Sequence, residues 1–371
     1  MVKQRKLSHQ HLLKIHHDPA LAAETFNLIY ISDESEGIHR LKKGKGFAYL
    51  FKEEVIKDKA TIQRIKKLAI PPAWEKVWIC QMENGHLQAT GYDARSRKQY
   101  RYHPLWNYLR NETKYHHLLE FGKALPNLRL RLEKDLALKD ISANKVIATV
   151  ISLMERTYIR VGNESYEKMN GSFGLTTLKD KHVDIQGDAL KFSFKGKKGI
   201  FHNISLKNKK LAKAVKECRD IPGKELFQYY DEAGQRKSID SGMVNDYIKE
   251  AMGGAYSAKD IRTWAGSLNI LNSLGAMENA LDEKIKKQNI NKAIDEVSLR
   301  LGNTRTVCRK YYIHPAIITL YEEDKLAEYM KELNVIEKND NISGLTSAEK
   351  ILMKILETAA ARPTIPIPPQ D

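Results

Sequence analysis

Near its C-terminal third the chain reads RLGNTRTVCRKYYIHPAI, where adjacent Tyr311 and Tyr312 follow a run of basic residues and precede Pro315. A tyrosine becomes a nucleophile when neighbouring cations favour its phenoxide. Four further groups suit work on an anion: Arg160 in YIRVGNESY, Lys197 in the KGKKG turn, Arg262 in SAKDIRTWAGSLNIL and Asn303 in LGNT. Each also has an ordinary use. Arg160 falls in the last turn of an expected helix, where a cation offsets the helix dipole. Lys197 sits at a hairpin tip, solvated yet mobile enough to reach a phosphate or a leaving oxygen. Arg262 comes soon after a capping box of Ser257 and Asp260, where a cation opposes the dipole unless guanidinium and helix N-terminus face a phosphate together. Asn303 or Thr304 can cap the helix that follows Gly302. Each tyrosine has an apolar neighbour one helical turn back, Val307 for Tyr311 and Cys308 for Tyr312, so local pattern leaves both open.

Those groups need a scaffold. Residues 28–105 read as a small antiparallel β-domain, with strands at LIYISD, VWICQM and, joined by a turn, within HLQATGYDARSRKQYRYHP. Strand alternation puts Tyr100 and Tyr102 on one face. Residues 106–335 read as mainly helical. YHHLLEFGKAL and LRLRLEKDLAL carry helical spacing, and a long helix over ANKVIATVISLMERTYIRV, capped by Ser142, ends before Gly162. Three short strands, HVDI, LKFSF and IFHNI, interrupt them. Ile261, Trp264, Leu268 and Leu271 form the expected buried face of the helix carrying Arg262, which leaves Arg262 off it. Residues 1–27 read as a loose or partly helical basic arm. The segment 336–371 holds one more helix and a Pro-rich end expected to be disordered. The fold class is therefore α+β.

Of 371 residues, 42% are apolar, enough for sizeable cores, and the formal charge of +16 attracts polyanions, nucleic acid above all. No stretch suits a transmembrane helix or a secretory signal, so no membrane partner is expected. Cys80, Cys218 and Cys308 are too scattered for a CxxC pair or a zinc constellation, which fits a reducing, cytoplasmic setting.

The chain resembles type IB DNA topoisomerases, in particular their bacterial and poxvirus-like branch. The resemblance rests on RKQYRYH (97–103), YIRVGNESY (158–166), GLTTLKDKHV (174–183), FKGKKG (194–199), KDIRT (259–263) and LGNTRTVCRKYYIHP (301–315). It implies the tyrosine recombinase/topoisomerase IB-like catalytic fold, with Arg160 and Arg262 binding the scissile phosphate and Lys197 acting as general acid. Asn303 takes the fourth phosphate-contact position, where poxvirus and eukaryotic members have histidine. The nucleophile comes nine residues later, which selects Tyr312. Arg97, Lys98, Gln99, Tyr100 and Tyr102 match a DNA-contacting strand. The implied partner is double-stranded DNA, gripped by a monomeric clamp in the bacterial cytoplasm and nucleoid. Arg305 stands where the family pattern has proline, leaving the start of that helix less fixed.

The chemistry calls for these residue types. Charge builds on the phosphorane oxygens as phenoxide attacks, and each preorganised donor there lowers the barrier by roughly 3–4 kcal/mol. The 5′-alkoxide is a strong base and needs a proton donor. Lysine titrates near roughly 10.4 and tyrosine near roughly 10, and nearby arginines lower both. Because the phosphotyrosine conserves the bond, neither ATP nor metal is implied. No GxxxxGK[ST] loop is present, and the sequence shows no metal-ligand cluster. Two alternatives differ in kind. A tyrosine recombinase usually carries HxxR where this chain has KDIR, with Lys259 in the histidine position. A non-catalytic basic DNA-binding protein would not need these five groups in this order.

Overall fold

The computed structural model describes residues 4–277, 282–331, 344–361 and 364–366. The chain forms two compact units, one reaching to His117 and taking up the described residues from Ala360 on, the other Leu118–Ala359. The turn from strand-like to helical pattern suggests a boundary near residue 105. The division instead falls inside a single helix, Pro104–Leu136, which runs through both expected helices with Pro126 inside it.

In the first unit six antiparallel strands lie in the spatial order Glu54–Val55, Gly46–Phe51, Ile38–Lys43, Glu75–Ile79, Leu87–Tyr92 and Lys98–Tyr102. Ile38, Ile65, Val77, Ile79 and Ala89 form its core. LIYISD is not a strand of this sheet. Only Ile29 bridges to Gly85, and Asp33 is drawn aside by Thr90 at 2.8 Å and Lys98 at 2.7 Å. The basic arm is packed rather than loose. It forms the helices His9–His17 and Pro19–Thr25, the second capped by Asp18 on the amides of Ala20 and Leu21, both at 3.0 Å. Leu12, Ile15, Ala22 and Ala23 are buried with Leu105, Trp106 and Leu109. Within the Pro-rich end, Thr364–Pro366 pairs antiparallel with Gln4–Lys6, where disorder is expected; residues 362, 363 and 367–371 lie outside the described residues.

The second unit is mainly helical, built around Ala143–Thr157, whose residues from Lys145 to Met154 are buried. Apart from Lys145, which pairs with Glu217 at 2.7 Å, Thr149 and Ser152, that stretch is apolar, as suits a helix inside a core. Ser142 holds the N-cap position, but its hydroxyl makes no capping bond. The expected three-stranded sheet forms, with Ala189–Lys195 between Val183–Gln186 and Phe201–Lys207. A further hairpin, Gln228–Tyr230 with Arg236–Ser238, interrupts the helices that follow. Ser347–Ala360 closes the unit. Its Glu349 is 2% exposed and accepts both Nη1 and Nη2 of Arg129 at 2.8 Å, with Trp264 Nε1 donating at 3.0 Å. Among the described residues no helix is long and apolar enough to cross a membrane.

Candidate active site

Four of the five expected groups come together in the second unit. The helix Ala143–Thr157 stops at Tyr158, which adopts a left-handed φ of 57°. Arg160 therefore lies beyond the helix, not in its last turn. Its backbone is clamped by GLTT, with the amide of Leu175 donating to the Arg160 carbonyl at 2.8 Å. A side chain at Gly174 would meet that carbonyl at 2.6 Å, so only glycine allows this approach. The guanidinium donates through Nη2 to the Gly302 carbonyl at 3.0 Å and to Asn303 Oδ1.

Arg262 sits on Ala258–Gly275, whose first turn carries the expected capping pair: Asp260 accepts from Ser257 N at 2.9 Å and Ser257 Oγ at 2.8 Å. The expectation for the Arg262 side chain fails. Arg262 is 4% exposed, because burial of that helix extends beyond the expected face of Ile261, Trp264 and Leu271 to Thr263, Ala265, Ser267 and Asn269; Leu268, expected on that face, is only half-buried. Its Nη1 donates to the Tyr158 carbonyl and its Nη2 to the Leu301 carbonyl at 2.7 Å. At the N-terminus of that helix the Ala258 amide is taken by Asn245 Oδ1 at 3.0 Å.

Gly302, at a φ of 57°, ends Glu283–Leu301, and Thr304 caps Arg305–Tyr311 by accepting from the Val307 amide at 3.4 Å. Thr304 takes the capping role, so the Asn303 side chain is available to Arg160. Its Nδ2 is buried and has no partner. Arg305, in the expected proline position, ties the helix start to Asp295. Tyr312 is the C-terminal cap of that short helix, which has ended before Pro315; Pro315 begins the next helix, Pro315–Glu322. The Tyr312 ring centre lies 5.4 Å from Arg262 Cζ. Tyr311, 40% exposed, has Lys310 Nζ 5.4 Å from its ring centre instead.

Lys197 is not part of this cluster. It is exposed at the tip of the hairpin, with Nζ 5.9 Å from the Tyr166 ring centre.

The electrostatics point to an anion. Among the described residues neither Arg160 nor Arg262 forms an ion pair with a carboxylate; their partners are carbonyls, the Asn303 amide and, for Arg262, the Tyr312 side chain. Burial pushes the pKa of both below the ordinary arginine value, and for Arg262 the charge of Arg160 pushes the same way. A buried and a half-buried cation, Arg262 and Arg160, with two orphan donors, Arg262 Nε and Asn303 Nδ2, form a site that a phosphate oxyanion would complete.

Residues 97–340 match the catalytic core of eukaryotic DNA topoisomerase I, and residues 46–93 match the N-terminal domain of bacterial DNA topoisomerase IB. The chain belongs to the type IB DNA topoisomerase family. Among its relatives in that family, DNA topoisomerase 1B of Acanthamoeba polyphaga mimivirus is 32% identical over 317 residues, 82% of this chain and 92% of the relative. DNA topoisomerase 1B of Vaccinia virus (strain Copenhagen) is 22% identical over 65% of this chain and 74% of its own length. DNA topoisomerase 1 of Daucus carota is 30% identical over 37% of this chain and 16% of its own length. The closing helix Ser347–Ala360 lies outside both matched stretches.

The expected DNA-contacting strand, Lys98–Tyr102, is the edge of the six-stranded sheet. Tyr100 and Tyr102 project together, their rings 5.9 Å apart and 7° from parallel, and both are exposed. The basic residues are held by acids: Arg97 grips Asp93 at 2.7 and 2.9 Å, Gln99 donates to the same carboxylate at 3.0 Å, and Lys98 pairs with Asp33 at 2.7 Å.

Two site neighbours escape the sequence reading. Gly266 faces the Tyr312 backbone, and a Cβ there would lie 2.4 Å from the Tyr312 carbonyl oxygen. A glycine inside a helix costs about 1 kcal/mol against alanine, which is the signal that could find it. His202, on Phe201–Lys207, packs against Gly302. It carries no sequence signal beyond its type.

Proposed function

We propose that this protein relaxes supercoiled DNA by cutting and resealing one strand through Tyr312. The convergence of two carboxylate-free arginines, the orphan Asn303 Nδ2 and the Tyr312 ring carries this reading. The Tyr312 phenolate oxygen bonds to the scissile phosphorus, the P–O5′ bond breaks, and the 5′ oxygen takes a proton from Lys197. Arg160, Arg262 and the Asn303 amide hold the phosphorane oxygens, whose growing charge they meet without reorganising. The 3′-phosphotyrosyl link keeps the bond energy, so the free 5′-hydroxyl reverses the reaction after the strand has turned, with neither ATP nor metal. Lys197 reaches the leaving oxygen by swinging from its place over Tyr166 on a tip where Lys198 and Gly199 have φ of 61° and 78°.

In the same reading a single copy grips one duplex with both units. Arg97, Lys98, Gln99, Tyr100 and Tyr102 supply phosphate and sugar contacts that set position rather than sequence. The match to a bacterial N-terminal domain supports work on the bacterial nucleoid, although the viral relatives named above show that the family is wider. The test is relaxation of a plasmid lacking any recombinase site, in EDTA and without ATP. Failure there, with activity restored by Mg²⁺, by ATP or by a cognate site, contradicts the proposal.

A further inference from the structure

His202 has no role in the chemistry above, yet its ring lies between two of the site's glycines. A Cβ on Gly302 would lie 2.4 Å from His202 Cε1, and one on Gly196 would lie 2.5 Å from Cδ2 and 2.6 Å from Nε2. Gly302 immediately precedes Asn303, and Gly196 immediately precedes Lys197. Phe194, paired with His202 across the hairpin, stacks on the ring with centres 5.0 Å apart. The imidazole thus fills the space between the hairpin that carries Lys197 and the corner that carries Asn303. Burial, and then the charges of Arg160 and Arg262, lower its pKa and so favour the uncharged ring there.

We infer that His202 is a positioning residue that seats the Lys197 hairpin on the Gly302–Asn303 corner and so sets the reach of the general acid. The inference rests on Lys197 being that acid. A hairpin seated loosely would carry Lys197 off line, and a misplacement of about 1 Å costs on the order of 100-fold in rate. The damage should fall on leaving-group protonation, not on phosphate binding.

A substrate with sulfur in place of the scissile 5′ oxygen separates the two, because a thiol titrates near roughly 8.5 and its thiolate departs without an acid. Single-turnover cleavage is measured on oxygen and sulfur duplexes. His202→Ala should slow the oxygen substrate roughly 10- to 100-fold and leave the sulfur substrate near the wild-type rate. Gly196→Ala, which presses the ring from the hairpin side, should give the same pattern, and it decides the matter if His202→Ala does not fold. Equal slowing on both substrates, or none on either, overturns the inference. Lys197→Ala is the control for the underlying reading: it should lose roughly 100- to 10,000-fold with oxygen and recover with sulfur. If Lys197→Ala does not recover, the general-acid reading itself fails. If it recovers and the His202 and Gly196 variants do not, only the positioning role of His202 fails.

Discussion

The guanidinium carbon of Arg262 lies 5.4 Å from the centre of the Tyr312 ring. Carbonyls of Tyr158 and Leu301 hold the guanidinium in place, so its charge is fixed before any substrate arrives. Lysine keeps the charge but cannot reproduce this fork. Arg262→Lys should slow single-turnover cleavage roughly 100- to 1,000-fold while duplex affinity changes far less. A wild-type cleavage rate would show that the fork is not used.

Gly266 fixes where Tyr312 stands. In Gly266→Ala the new methyl would lie 2.4 Å from the Tyr312 carbonyl oxygen, so the Tyr312 backbone must move. Cleavage should fall by on the order of 100-fold with DNA affinity retained. Rate and affinity falling together would mean that the substitution disturbs the whole unit instead.

Glu349 ties the closing helix to Arg129 and to Trp264, which shares its helix with Arg262. Burial alone would raise its pKa, but the Arg129 pair outweighs burial and holds it below the ordinary glutamate value of 4.5. A depressed folded pKa stabilises the protein above the unfolded value, and that stability is lost as pH falls through the folded one. Glu349→Gln leaves Arg129 with Glu155, at 3.1 Å, as its remaining carboxylate and should cost roughly 1–3 kcal/mol in urea unfolding at neutral pH. The gap should narrow below pH 4.5; a gap independent of pH would exclude the ionised pair as its cause.

The edge strand makes a separable prediction. If Arg97 leaves Asp93 for a phosphate, Arg97→Ala should reduce the salt slope of duplex binding by about one. Tyr100→Ala should weaken binding with the slope unchanged. An unaltered slope in Arg97→Ala would mean that Asp93 keeps the guanidinium when DNA is bound.

Much of this arrangement is readable in the sequence. The motif order places Arg160, Arg262, Asn303 and Tyr312 in one set, and these four side chains do converge. The capping pair Ser257 and Asp260 marks the start of the Arg262 helix, and strand alternation puts Tyr100 and Tyr102 on one face. What the sequence hides is non-local. Nothing in MERTYIRV announces that Tyr158 turns left-handed and carries Arg160 out of the helix, because GLTT makes that turn worthwhile from a distance. Apolar spacing marks one buried face around Ile261 and Trp264, yet residues off that face are buried too, and carbonyls of two other segments admit Arg262 to the interior. LIYISD has strand composition but loses Asp33 to Thr90 and Lys98. His202 acquires meaning only when Gly302 comes against it.

The central claim is that Tyr312, not Tyr311, attacks the phosphate. Its most direct test is trapping of the covalent protein–DNA adduct on a nicking duplex by wild type, Tyr312→Phe and Tyr311→Phe. Tyr312→Phe should bind DNA and form no adduct, while Tyr311→Phe forms it. An adduct from Tyr312→Phe, or its loss in Tyr311→Phe alone, would contradict the account.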